Sequence, residues 1–207
     1  MSSLSHLEFL VEEPSAEAAM GYLVPNLLGS DFSFAVYPYR GKRDLLRRLP
    51  ERLRGYRRWI PGDWGIVVLI DSDGQDCRKQ KSVLENMAED AGFLTRTAAR
   101  GGRFQILNRL AIEELEAWFF GDVDALCEAY PGISRSLGDQ TSYRDPDAIR
   151  GGTWEALERE LQRAGHHVGG LAKIKAAREI AARMDPDRNR SRSFNAFRQG
   201  LLALVGR

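Results

Sequence analysis

The sequence predicts an α/β fold: a mostly parallel sheet with helices on both faces, followed by an α-helical C-terminal portion. Residues 66–70 form an uninterrupted apolar run, as in strands that a parallel sheet buries on both faces. Strand-like and helix-like segments alternate through residues 1–130, whereas only helical segments follow the loop that begins at residue 131. We therefore predict an α/β core over 1–130 and a loop and helical extension over 131–207, packed on that core.

Five short segments predict the strands. Each is rich in apolar or aromatic residues and stands near turn-forming residues. They are residues 6–11, 32–37, 66–70, 93–97 and 104–107.

Helices are predicted between these strands and in the C-terminal part. Ser15 is placed to cap a helix over residues 16–28, and Ser193 to cap one over 194–205. The leucine spacing in the basic segment after residue 44 predicts one or two amphipathic turns, interrupted by Pro50. The remaining predicted helices are residues 77–91, 112–130, 154–164 and 171–184.

Composition points to a globular cytoplasmic protein. The 207 residues are 43% hydrophobic, which suffices for a core, and the formal net charge of +1 identifies no partner. Two distant cysteines imply neither a zinc site nor a disulfide framework. No signal peptide and no apolar run of membrane-spanning length is present in the sequence, so we expect no membrane association.

Acidic residues follow two of the predicted strands. Glu12 comes directly after the first strand, while Asp71, Asp73 and Asp76 follow the apolar run at residues 66–70. In open α/β sheets ligands bind beyond the carboxyl ends of the strands, and carboxylates there suit Mg²⁺ or Mn²⁺. The alternative is a turn in which Asp71 or Ser72 caps the next helix.

A further acid, Glu116, lies in a third acidic cluster and is predicted to point inward. On a helical wheel it falls about 40° from both Ile112 and Phe120, within an apolar arc, whereas Glu114 falls on the opposite, solvated face. A buried carboxylate requires a bound cation or a charged partner. The partner could be one of four nearby arginines: Arg96, Arg100, Arg103 and Arg109.

The segment from residue 40 to residue 58 is strongly basic and contains aromatic side chains. Cations interleaved with aromatic rings suit phosphate contacts together with base stacking. The alternative is a solvated amphipathic helix whose arginines pair locally. The candidate contacts to DNA or RNA are Arg43, Arg47, Arg48, Arg57 and Arg58.

The order of the acidic motifs resembles that of Toprim domains, found in topoisomerases, primases and OLD-family nucleases. In that family the first strand ends in a glutamate, usually within Glu-Gly, and a later strand ends in Asp-x-Asp. Val11-Glu12 and Asp71-Ser72-Asp73 are similar to these two motifs, although Glu13 stands at the usual glycine.

Most of the chain resembles an uncharacterised bacterial family of Toprim-like proteins, often encoded beside AAA-type ATPases in phage-defence loci. The matching features are Val11-Glu12 with Pro14-Ser15, Asp71-Ser72-Asp73-Gly74 with Asp76-Cys77, residues 113–118, Lys173, and residues 189–194.

The resemblance implies a Toprim-like sheet and a nuclease-like enzyme that uses Mg²⁺ or Mn²⁺ on phosphodiesters of DNA or RNA, with an ATPase as partner. The catalytic residues would be Glu12, Asp71, Asp73 and Glu116, with Asp76 as a further metal ligand. Two alternatives stay open: a non-catalytic protein that binds an ATPase or nucleic acid, and a small-molecule phosphotransfer enzyme with an aspartyl nucleophile.

Overall fold

A four-stranded, all-parallel sheet lies between two layers of helices in the computed structural model, which describes residues 4–207. The strands are β1 (His6–Val11), β2 (Ser33–Pro38), β3 (Trp64–Asp71) and β4 (Ile106–Ala111), in the spatial order β2-β1-β3-β4. The helices are α1 (Pro14–Leu28), α2 (Lys42–Trp59), α3 (Cys77–Asp90), α4 (Glu116–Gly121), α5 (Val123–Ala129), α6 (Thr153–Arg163), α7 (Lys173–Ala181) and α8 (Arg192–Val205). The predicted fold class is confirmed.

The two faces of the sheet carry separate apolar clusters, because side chains of a strand alternate between faces. Leu7 and Phe9 of β1 pack with α1 and with the C-terminal helices, including Phe194 of α8. Leu10 lies on the other face, with Leu45 and further apolar residues of α2 and α3. The C-terminal helices thus complete the layer that α1 begins. None of the helices in residues 4–207 is long and apolar enough to cross a bilayer.

The strand order places a topological switch point between β1 and β3. From β1 the chain moves outward to β2, and it then returns across the sheet to β3 and β4 on the other side of β1. Val11 pairs with Leu69, so Glu12 follows β1 beside the last residues of β3. Such switch points open a crevice at the carboxyl edge of the sheet, where α/β proteins bind ligands.

Two predicted helices differ from the observed ones. The basic segment forms one continuous helix, α2, with Pro50 inside it, because Leu45, Leu49 and Leu53 bury one stripe that holds the helix on the sheet. The helix predicted over 112–130 begins later and is divided into α4 and α5 at Asp122. The buried Asp122 carboxylate caps α5 and binds Arg188, whose Nε lies 2.7 Å from Oδ1.

The last strand and two helix caps also differ from prediction. β4 spans Ile106–Ala111, and residues 93–97 contribute only a single bridge, from Thr95 to Ile106. The polar residues Asn108 and Arg109 interrupt the apolar pattern of this strand in the sequence. In the structure, Asn108 Nδ2 donates to Glu85 Oε1 at 3.0 Å, and Arg109 Nε donates to a backbone carbonyl of α8. The N-cap of α1 is Glu13 rather than Ser15, and that of α8 is Ser191 rather than Ser193.

Candidate functional site

Glu12 and Asp71 meet at the switch point. The backbone N–H of Asp71 donates to Glu12 Oε2 at 3.1 Å, which fixes the Glu12 carboxylate against the end of β3. The contact follows from the parallel pairing of β1 and β3, which brings their carboxyl ends to the same edge.

The loop after β3 is fastened to the loop after β4. Asp73 N–H donates to the Glu113 carbonyl at 2.8 Å, and Glu113 N–H donates to Ser72 Oγ, also at 2.8 Å. Asp73 and Glu113 have φ of 47° and 60°, in the left-handed region that non-glycine residues rarely adopt. Such strain clusters at functional sites, and here it accompanies the contacts that hold the Asp71–Asp73 turn beside the start of α4.

Glu116, the first residue of α4, is buried as predicted, with only 2% of its surface exposed. Its Oε1 lies 4.0 Å from Lys173 Nζ, so the nearby cation is a lysine of α7 and none of the four arginines considered from the sequence. Its Oε2 has no hydrogen-bond partner within residues 4–207. A buried carboxylate oxygen without a partner is costly, so Glu116 Oε2 is free to accept a further donor or to bind a cation.

Two lysines enter this acidic region. Lys42 Nζ, at the start of α2, lies 2.6 Å from Asp73 Oδ2. Lys173 Nζ lies 4.0 Å from both Glu13 and Glu116, and 5.1 Å from the centre of the Trp154 ring. We name as the acid cluster the five carboxylates of this region: Glu12, Glu13, Asp71, Asp73 and Glu116. Two ammonium groups cannot neutralise five ionised carboxylates.

The electrostatics of the site favour the protonated form of three acids, Asp71, Glu12 and Glu116, because the pKa of each is raised. Loss of water around the Asp71 carboxyl, and then the charges of Glu116 and Glu12, raise its pKa well above the ordinary range. Desolvation also raises the pKa of Glu12, against the hydrogen bond from Asp71, and raises the pKa of Glu116 to about 7, against the charge of Lys173. Burial alone would lower the pKa of Lys173, yet Glu116 and Glu13 raise it. A divalent cation would relieve this repulsion.

The acids do not form a ready-made metal cage. Within residues 4–207, no three Asp, Glu, His or Cys side chains stand in a grouping that could hold an ion as they are placed. Glu12 and Asp73 are turned toward a backbone N–H and an ammonium group, respectively. The donor set nevertheless fits a hard cation, since it consists of carboxylates and includes the unpartnered Glu116 Oε2.

Asp76 has a different place from the one predicted. Its Oδ1 accepts the backbone N–H groups of Arg78 at 2.9 Å and Lys79 at 3.2 Å, so it is the N-cap of α3. The cap predicted for Asp71 or Ser72 is thus supplied by Asp76. Because its carboxylate is engaged at this cap, Asp76 is not part of the proposed site.

Glu114 is also placed differently from the wheel prediction. Its Oε2 accepts from Thr153 N–H at 2.9 Å, Thr153 Oγ1 at 2.8 Å and Trp154 N–H at 2.9 Å, so it satisfies the start of α6. This contact holds Trp154 near Lys173, and through it the C-terminal helices help to position the acid cluster.

The five predicted nucleic-acid contacts all lie on α2 but do not share one surface. Arg47 and Arg48 pair with Asp44, at 2.6 and 2.9 Å. Arg57 lies over the Phe93 ring, whereas Arg48 and Arg58 line a groove between α2 and the end of β2. Arg43 is exposed outside that groove.

Sequence reasoning did not select the two lysines or Glu13 as site residues. Lys42 follows the turn after β2, at the same edge as Glu12 and Asp71, so the strand order would have placed it there. Lys173 lies more than fifty residues beyond Glu116, and no local spacing relates the two. Glu13 was noted mainly as a departure from a glycine.

The sheet and its acidic crevice define a parallel α/β protein with an acid-rich switch point. The chain belongs to the family described as Domain of unknown function (DUF4276), whose model matches residues 11–202. Comparison with curated proteins and with solved structures finds no match. The family match agrees with the resemblance to an uncharacterised family and shows no relationship to Toprim domains or OLD-family nucleases.

Proposed function

We propose that the acid cluster binds one or two divalent cations, Mg²⁺ or Mn²⁺, and that the protein hydrolyses phosphodiesters of DNA or RNA. The observation that carries the proposal is the unpartnered, buried Oε2 of Glu116 within a cluster of five carboxylates at the switch point of the sheet. The resemblance of Val11-Glu12 and Asp71-Ser72-Asp73 to Toprim motifs supports the same chemistry.

Four residues of the acid cluster have a proposed task. Asp71 and Asp73 are the proposed ligands, and the bond from Asp71 N–H orients Glu12 as a further ligand or as the base that takes a proton from water. Glu116 is a further proposed ligand, through its unpartnered Oε2. When bound, the cation would polarise the phosphate and activate water.

Lys42 and Lys173 extend this proposal. Lys42 pairs with Asp73, and Lys173 pairs with Glu13 and Glu116. Within the part of the chain that the structure describes, no other lysine forms an ion pair with the acid cluster. A cation bound by Asp73 and Glu116 would compete with these ion pairs, and the released ammonium groups would then be available to phosphate oxygens. The Trp154 ring would still hold Lys173 near the crevice.

An aspartyl phosphotransfer enzyme is less well supported. In that chemistry Asp71 would be the nucleophile, and its strand would stand near the start of the core, whereas here β1 with its own acid, Glu12, comes before it. A partnership with an AAA-type ATPase in phage defence remains part of the proposal through the family resemblance, and co-purification of the two proteins would test it.

The deciding experiment compares two substrate classes. Labelled DNA and RNA strands and a phosphomonoester are incubated with the protein and Mg²⁺ or Mn²⁺, with Asp71→Asn as the matched variant. We expect strand cleavage that requires the metal and is lost in Asp71→Asn. Metal-independent cleavage, or hydrolysis of the phosphomonoester alone, would refute the proposal.

A further inference from the structure

An open groove runs beside α2, on the side of the exposed edge strand β2. It has a volume of about 1110 Å³ and is bordered by the carboxyl end of β2, the turn that follows, and one face of α2. Five arginines line it against two carboxylates, so the groove is distinctly positive although the whole chain carries only +1. Its ligand should therefore be an anion.

Several cations of the groove have no counter-charge. Arg48 is paired with Asp44, but the side chains of Arg40, Arg54 and Arg58 form no ion pair within residues 4–207. All three residues are exposed. Free arginines at this density suit a polyanion, since each phosphate contact releases condensed counterions.

Aromatic rings lie between these cations. Trp59 is 57% exposed and Tyr37 is 38% exposed, although both are large apolar rings. Trp59 is held by Tyr56 and Trp64, with ring centres 5.3 and 6.1 Å away. The Arg52 guanidinium lies 4.7 Å from the Tyr37 and Tyr56 ring centres and so joins β2 to α2. Trp59 and Tyr37 are therefore fixed, exposed rings on which flat groups can stack.

The groove leads to the acid cluster. The turn after β2 supplies Tyr39 and Arg40 to the groove, and Tyr39 N–H bonds to the Val11 carbonyl of β1. The next residues reach the cluster itself, since Lys42 contacts Asp73. α2 extends about 27 Å from that point at 1.5 Å per residue, so the groove continues for several nucleotides beyond the acids.

We propose that this groove binds single-stranded nucleic acid and delivers it to the acid cluster. Stacking on exposed rings requires unpaired bases, because a duplex keeps its base faces covered, and the arginines would follow the phosphates. Delivery of the strand to the acid cluster rests on the proposed function. The binding itself can be tested without it, because strand binding needs no divalent cation. In this proposal Arg54 and Trp59 are expected to contact the nucleic acid, whereas Arg43, Arg47 and Arg57, which the sequence suggested, are not.

Fluorescence anisotropy in EDTA tests this proposal. The probes are labelled oligothymidylate and oligouridylate of about 20 nucleotides and a duplex of the same length. We expect both single strands to bind more tightly than the duplex, and a preference between them would identify DNA or RNA as the natural source. Trp59→Ala should weaken single-strand binding about tenfold. Arg54→Ala/Arg58→Ala should reduce the log–log salt slope by about 1.4.

Arg43→Ala/Arg57→Ala is the matched control, since it removes the same charge from the same helix outside the groove. Its affinity for the single strands should stay within about twofold of that of the parent protein, and melting curves should show that all variants are folded. Equal losses in the control and groove variants, tighter duplex binding, or no binding to either single strand would overturn the proposal. None of these results would contradict the proposed metal binding at the acid cluster, which is measured separately.

Discussion

Replacing Glu116 with glutamine separates a metal-site acid from half of a structural ion pair. Glutamine keeps the shape of the side chain and removes its charge. The carboxyl of Glu116 has a pKa of about 7 in the fold, against an ordinary 4.5. The folded state therefore binds a proton more tightly than the unfolded state, and the ionised carboxylate destabilises the metal-free protein.

The sign and size of the effect follow from proton linkage. The contribution of the Glu116 carboxyl to the free energy of unfolding is fully present below pH 4.5, where the group is protonated in both the folded and the unfolded state. It is lost as the pH rises through 7. The full difference between the two pKa values corresponds to about 3 kcal/mol. Without metal, Glu116→Gln should thus be more stable than the parent by about 1 kcal/mol at pH 5 and about 3 kcal/mol at pH 8.5.

Urea unfolding in EDTA at several pH values measures this difference. Glu128→Gln is the control, because Glu128 is exposed on α5, and its free energy of unfolding should differ little from that of the parent. If the pair with Lys173 dominates instead, Glu116→Gln would cost about 3–5 kcal/mol at neutral pH by leaving a half-buried ammonium group uncompensated. That result would refute the metal-site assignment of Glu116.

Three further changes test neighbouring contacts. Asp76→Ala should lower the free energy of unfolding by about 1 kcal/mol through loss of the α3 cap, and a lost response to Mg²⁺ would show instead that Asp76 is a ligand. Glu114→Ala should cost about 2 kcal/mol in urea unfolding, since it removes three hydrogen bonds at the start of α6; an unchanged midpoint would contradict this. Lys173→Met should raise the pKa of Glu116 further and make metal-free stability fall more between pH 5 and 8.5, whereas an unaltered pH dependence would show that the ammonium group does not act on Glu116.

The parts of the site that depend on strand ends could be predicted from the sequence. The apolar run before Asp71 defines a buried strand, and parallel pairing then brings its carboxyl end to that of β1. Glu116 was correctly placed inward even though α4 begins four residues later than predicted, because its apolar neighbours already marked the buried side.

Contacts between distant segments could not be predicted in this way. Asn108 and Arg109 are polar residues within β4, and the distant groups that bond to them cannot be read from the local sequence. Glu114 likewise falls on the solvated face of a helical wheel, although in the fold it accepts a hydrogen bond from Thr153. The continuity of α2 through Pro50 is likewise a tertiary effect, since packing on the sheet offsets the lost hydrogen bond.

Metal-dependent stabilisation of the acid cluster tests the central claim most directly. Thermal melts are recorded in EDTA and with Mg²⁺ or Mn²⁺ at about tenfold the dissociation constant found by titration calorimetry, where mass action gives about 1.4 kcal/mol. For a chain of this size we expect a rise in Tm of about 3–6 °C. The rise should vanish in Asp71→Asn/Asp73→Asn. An equal rise in the parent and the double variant would contradict the assignment of these carboxylates as the metal site.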